Sequence, residues 1–296
     1  MAFAASSKAF KLHVDVDFNA WLIFILFLAY LCTLRSKSLL LLIVFAASAA
    51  ILMFDTTSTV GGLIKIMCEL PLGLGSVLAY QAASKPFQAR HLSAFTTYVN
   101  VAVYGNIGMM VATPIGGTLR GAFARVACIL LFVWIVQQGY RARWKTVVLD
   151  DRFFVFTAAS KSWIFAHAVY RFVLLTLPCF KNGPRYRLLE LFSLGLTLAL
   201  SLTSGLPFEH CFGQADTLTV PAISGWSAIA TTFDLLPRDA SKGTEISNSF
   251  EAHADVLMSA VLSVVIVFVC YKIMTNPNQH AAKNRTDQIS SSSKAH

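Results

Sequence analysis

Along most of the chain the polar residues come in short clusters and the apolar residues in long runs. The runs follow neither the two-residue alternation of a half-buried strand nor the one-sided period of a surface helix. Most approach the roughly 20 residues that a helix needs to cross the hydrocarbon of a bilayer. The first extends from about Phe18 to Leu34 and the second from Leu39 to Phe54, with Arg35-Ser-Lys37-Ser38 between them. A third, Val60 to Ala83, is interrupted by Lys65, Glu69 and Pro71 and closed by Lys85-Pro86. The fourth, Leu92 to Thr113, is unusually polar, with Tyr98, Asn100, Tyr104 and Asn106. A fifth, Leu119 to Gln138, carries Arg120 and Arg125 in its first two turns, where they can snorkel or pair. The sixth runs from Phe153 to Leu177, the seventh from Leu188 to Gly205, and the last from about Ala254 to Met274. Between the last two, Thr217 to Phe233 is long enough to cross but holds Pro221 and several Ser and Thr, so it reads as a span or as a re-entrant segment.

This pattern predicts an all-α fold, a polytopic transmembrane helical bundle with seven to nine spans and short loops. Residues 1–275 form the bundle as a single domain, and residues 276–296 are a polar, Ser-rich, disordered tail. Composition agrees with it. Apolar residues make up 56% of the chain and charged residues only 13%, whereas soluble domains carry about 25% charged residues. A water-soluble domain cannot hide this much apolar surface, and the lipid bilayer is the partner that fits.

The net charge of +9 does not indicate nucleic acid, because the Lys and Arg residues are scattered over short loops and tails and form no basic stripe. They read instead as topology signals. The loops holding Arg35/Lys37, Lys85/Arg90 and Arg141/Arg143/Lys145/Arg152 alternate as one cytoplasmic side requires. With a lumenal N-terminus and nine spans the basic tail, Lys272 to Lys294, joins that side, while Lys181, Arg185 and Arg187 fall opposite. The first span then acts as an uncleaved signal anchor. The six cysteines contain no CxxC pair and no neighbouring His at ligand spacing, so neither a metal nor a disulfide framework is expected, and no cofactor is implied.

Ionisable groups inside a bilayer are costly, which makes each a functional candidate. Lys65 and Glu69 stand four apart on one helical face and form either a substrate-binding pair or a structural ion pair. His167 and Arg171 are likewise four apart on the sixth span, with Tyr170 beside them and Lys161 earlier on the helix. That stripe could hold a diphosphate, a carboxylate or a lipid headgroup; otherwise Arg171 reaches the interface and His167 packs in the bundle. The densest set of reactive side chains is Pro207 to Asp216, PFEHCFGQAD, with Glu209, His210 and Asp216 between two apolar helices. A carboxylic acid sheltered by aromatic rings can serve as a proton donor, with Glu209 and Asp216 as candidates and His210 to orient the acid or take back the final proton. The alternative is an ordinary polar loop.

The segments FTAASKSWIFAHAVYRFVLLTLP (Phe156 to Pro178) and FEHCFGQADTLTVPAISGWSAIATTF (Phe208 to Phe233) resemble a fungal family, the small integral membrane proteins encoded in indole-diterpene (paxilline-type) biosynthetic clusters. The resemblance implies a place in making these terpenoids at the endoplasmic reticulum, beside other membrane-bound pathway enzymes and in contact with a lipophilic terpenoid substrate. It carries no catalytic residue with it, so the candidates above rest on their chemistry alone. Two classes of function follow. In the first, the chain is a terpene cyclase that protonates a prenyl epoxide or alkene and shelters the cation against aromatic faces. In the second, it is a non-catalytic transporter or assembly factor for the pathway enzymes.

Overall fold

A computed structural model describes residues 85–113, 115–149, 154–177, 179, 189–213, 215–216 and 248–275. The first three expected spans, Lys65 and Glu69 with them, lie outside the described residues, as do Thr217 to Phe233 and the C-terminal tail. The described part is mostly helical, with elements in the order α1 (Lys85–Ala112), α2 (Leu119–Arg141), β1 (Val147–Leu149), β2 (Phe154–Phe156), α3 (Lys161–Leu174), α4 (Leu189–Ser204) and α5 (Asn248–Thr275).

Helix α2 is the hub, packing against α1, α3 and α5. One stripe along it is buried, through Ala124, Ala127, Cys128, Leu131, Trp134 and Ile135, while Val126, Ile129 and Val133 on the opposite side are exposed and equally apolar. A helix apolar on every side belongs in a large core or in lipid. Its N-terminus is closed twice over. Thr118 caps it by accepting from the Gly121 amide at 3.1 Å, and the Asp255 carboxylate of α5 accepts from the amides of Leu119 and Arg120, each at 3.1 Å. Those amides lack intrahelical acceptors and carry the positive end of the helix dipole, so an acid from a neighbouring helix satisfies both demands. The same carboxylate pairs with the buried Arg120 side chain, Nε to Oδ1 3.4 Å. Arg125 instead donates to the carbonyls of Val111 and Thr113 where α1 ends. Both arginines of the fifth expected span are therefore paired inside the protein.

Helices α2 and α5, the latter over Ala252–Thr275, are long and apolar enough to cross a membrane. Only 22% of the most apolar stretch of α5 is buried. Val264, Val267 and Met274 remain about 70% exposed.

The sixth expected span is corrected. Within Phe153 to Leu177 the chain forms a strand, Phe154–Phe156, paired antiparallel with Val147–Leu149 in the register Val147 to Phe156, and only then the 14-residue helix α3. At about 1.5 Å per residue α3 is roughly 21 Å long, short of the roughly 30 Å hydrocarbon core. The physical reason is local: Ser160 caps α3 by accepting from the Trp163 amide at 3.3 Å, which fixes the helix start, and the aromatic and β-branched residues before it pair as a strand. The fold is thus not purely helical. The polar residues of α1 serve this hairpin. Asn100 Nδ2 donates to the Trp144 carbonyl at 2.8 Å, its Oδ1 accepts from the Thr146 hydroxyl, and the Tyr104 ring meets Trp144 and Phe156 edge-on. The start of α1 is a second adjustment, since Lys85-Pro86 opens this helix. Proline fits the first turn, where its missing amide hydrogen has no acceptor to lose.

Candidate functional site

The candidate site forms where α3 meets α4 and the segment after α4. Gly205 reverses the chain at φ +73° and its amide donates to Ser201 O at 3.0 Å, a helix ending that favours glycine. The chain then forms a short helical segment at 208–213. This segment lies against α3 through three contacts. The rings of Phe165 and Phe208 stack with centroids 5.5 Å apart and planes within 4°. Lys161 Nζ stands 3.4 Å from Glu209 Oε2. Further along, Arg171 Nη1 stands 3.7 Å from Asp216 Oδ1. Early residues meet early and late meet late, so the segment runs beside α3 in the same direction.

Arg171 is the centre of the buried end. Its Nε lies 2.9 Å from Glu190 Oε1, with the two side chains 10% and 3% exposed. One turn along α4, Ser193 Oγ donates to Asp216 Oδ1 at 3.2 Å. Helix α4 therefore supplies one residue to hold the guanidinium and another to hold the carboxylate that the guanidinium faces. Two carboxyl groups share one arginine. A buried charge of this kind is tolerated only when paired and hydrogen-bonded. One turn before Arg171, the His167 ring stacks on Trp163 at 4.6 Å and 14°, and Trp163 is itself fixed by donating its indole N–H to Leu131 O at 3.1 Å.

No family model, curated protein or solved structure matches this chain.

The structure thus brings together Arg171 and Asp216, which the sequence nominated from separate segments, and sets His167 next to them on α3. Glu209 pairs with a lysine of the same stripe, although Lys161 is more than half exposed. His210 is half-buried in the helical segment, its amide bonded to Pro207 O at 2.9 Å. Glu190 and Ser193, both within the seventh expected span, are functional candidates that the sequence pattern did not single out. The signal existed, because Glu190 is the one acid in that apolar run, the same criterion that singled out Glu69. Among the described residues no three His, Cys, Asp or Glu side chains stand together as a metal set.

Proposed function

We propose that the chain is a multi-pass integral membrane enzyme of terpenoid metabolism, of the indole-diterpene type, that cyclises a lipophilic prenyl epoxide or alkene by protonation. The observation that carries the reading is the Arg171–Glu190–Asp216 cluster, an ionic network whose Arg171–Glu190 pair is buried and whose Asp216 is partly exposed. Asp216 is the proposed proton donor. Glu190 keeps Arg171 paired at 2.9 Å, so the guanidinium does not depend on Asp216 alone for its counter-charge. Transfer of that proton to an epoxide oxygen breaks a C–O bond, and neighbouring alkenes of the substrate capture the developing cation. Loss of a proton from carbon to a base, with His210 as the candidate, ends the sequence as an alkene. Phe165, Phe208, Trp163 and Tyr170 around α3 offer the π-faces that such a cation favours.

Support for the membrane comes from α5, a helix of about 42 Å on which Val256, Leu257, Val264, Val267 and Met274 are apolar and exposed. Seven to nine spans and residence in the endoplasmic reticulum rest on the sequence pattern. A second reading has an observation of its own. Glu209 and Asp216 both face cations, as they would if the pairs served only to dock the segment on α3 in an assembly factor or transporter. Reconstitution of the pathway with each variant separates the two. An enzyme with Asp216→Asn accumulates uncyclised epoxide at normal protein level; an assembly factor with the same change still supports the cyclised product.

A further inference from the structure

The chain leaves α2 through a tight turn in which two residues take the left-handed region, Arg143 at φ 51° and Trp144 at φ 60°. Residues with a β-carbon avoid that conformation, and it persists only where the surroundings impose it. The surroundings are on the page. The Trp144 amide donates to Gly139 O at 2.8 Å and the Arg143 amide to Tyr140 O at 2.9 Å. Asn100 of α1 holds the Trp144 carbonyl at 2.8 Å, and the Trp144 ring rests edge-on against Tyr104, centroids 5.3 Å apart. The turn is thus fixed from two helices, yet what it presents is left uncovered. Arg143 and Lys145 are exposed, and among the described residues no acid is salt-bridged to either. Tyr140 is 73% exposed, and Trp144 keeps 43% of its surface open. Val126, Ile129, Val133 and Tyr140 recur at helical spacing along one exposed side of α2. The apolar face of a helix long enough to cross a membrane therefore ends in a tyrosine and then in two cations.

We infer that this turn is a docking surface for the headgroup of an anionic phospholipid, with Arg143 and Lys145 on the phosphate and Tyr140 and Trp144 against the glycerol end of the chains. The order of the side chains selects this occupant. Apolar residues suit the hydrocarbon, rings with one polar edge suit its boundary, and cations suit the phosphate layer beyond. An acidic peptide or a nucleic acid would meet the same charge but gives no reason for the exposed apolar stripe that leads to it. Arg143 offers a planar fork that two phosphate oxygens can share, and Lys145 adds a point charge. The positive-inside pattern makes this side cytoplasmic, and the cytoplasmic leaflet carries the anionic lipids. Asp150 and Asp151 follow in the sequence, separated from the two cations by the strand Val147–Leu149. The inference rests on the membrane part of the proposed function and is independent of the cyclisation chemistry.

The test uses the full-length protein in nanodiscs and the quenching of Trp144 fluorescence by phosphatidylglycerol or phosphatidylcholine, each carrying a nitroxide near the glycerol end of its chain. Subtracting the signal of a Trp144→Phe variant isolates the contribution of this one residue. A cation at the phosphate layer contributes about fivefold, so the wild type should favour the anionic lipid roughly thirtyfold at low salt. Added salt should shrink that preference by screening. Arg143→Gln/Lys145→Gln should bring the ratio near one, whereas Arg143→Lys/Lys145→Arg, which keeps both charges, should retain most of it. Both positions are exposed, so neither change disturbs the packing. Equal quenching by the two lipids in the wild type, or a preference that survives the double neutralisation, would overturn the inference while leaving α2 in the membrane. If neither lipid quenches any tryptophan, the membrane reading itself fails and the headgroup surface falls with it.

Discussion

Replacing Glu190 by glutamine and Asp216 by asparagine tests whether the Arg171 cluster is machinery or mortar, because the geometry assigns the two acids different shares of stability. At 2.9 Å and an effective dielectric of about 20, the attraction between Arg171 and Glu190 is roughly 6 kcal/mol before desolvation is subtracted. Both side chains are nearly inaccessible, and removing one partner of such a pair typically destabilises a protein by about 3–5 kcal/mol. Asp216 lies farther away, 3.7 Å from the guanidinium, and its side chain is 26% exposed. Solvent screening reduces its share to about 1 kcal/mol. Glu190→Gln is therefore expected to lower the unfolding midpoint in a mixed-micelle denaturation series several times more than Asp216→Asn does. Product formation should follow the opposite order per unit of folded protein, Asp216→Asn losing about 10²- to 10⁴-fold as expected for a missing general acid. If Asp216→Asn proves as destabilising as Glu190→Gln and its folded fraction cyclises normally, the cluster is a structural joint and the catalytic reasoning is wrong.

Asp255→Ala is expected to cost about 3 kcal/mol or more, because it leaves Arg120 buried beside two uncapped amides; Asp255→Asn, which keeps an acceptor, should cost less, and the Arg120→Met/Asp255→Ala double variant less than the sum of the singles in the same denaturation assay. Gly139→Ala should destabilise by about 1–3 kcal/mol, since the new methyl group would collide with the Tyr104 ring and hydroxyl where α1 crosses α2; a midpoint unchanged from wild type would show that the two helices can part without penalty. The Asn284-Arg-Thr286 sequon should stay unmodified in cells if the chain crosses nine times from a lumenal N-terminus, the topology that leaves the tail cytoplasmic; a glycosidase-sensitive mass shift there would exclude that topology.

The two long helices were legible from hydropathy. The fifth expected span starts at Leu119 as α2 does, and the last lies within α5. The sixth was not, and the reason is instructive. Hydropathy averages over many residues, whereas this stretch is decided by a pair of three-residue strands and by one capping serine, Ser160. The site divides in the same way. Arg171 and Asp216 could each be suspected from their own neighbourhood, but their meeting depends on α4 reversing at Gly205 and laying the following segment along α3. Nothing local encodes that. Glu190 was hidden for a different reason, since an acid in the first turn of a helix is favoured there by the helix dipole, so it reads as ordinary helix chemistry until its partner on α3 is seen.

Under the proposed reading the proton is drawn from water and the substrate from lipid, and the exposure of the cationic side chains changes along α3. At the Lys161 end the side chains of the ion pair are 58% and 32% exposed; at the Arg171 end the tighter pair is 10% and 3% exposed. Ten residues of helix separate the two, about 15 Å, and the acids of the segment beside α3 are themselves similarly exposed, Glu209 32% beside Lys161 and Asp216 26% beside Arg171. On the proposed reading the two acids have distinct work, set by their partners: Asp216, beside the buried Arg171, delivers the proton, and Glu209, beside the exposed Lys161, resupplies it. Glu209→Gln should accordingly leave the product pattern intact and slow turnover by about tenfold or less, the modest effect of a group that resupplies a proton that water can also deliver. Asp216→Asn should abolish turnover across the whole pH range tested. A rate loss for Glu209→Gln as large as that for Asp216→Asn would place Glu209 at the reacting atoms, and would require the segment to leave its stacked position on Phe165 during the reaction.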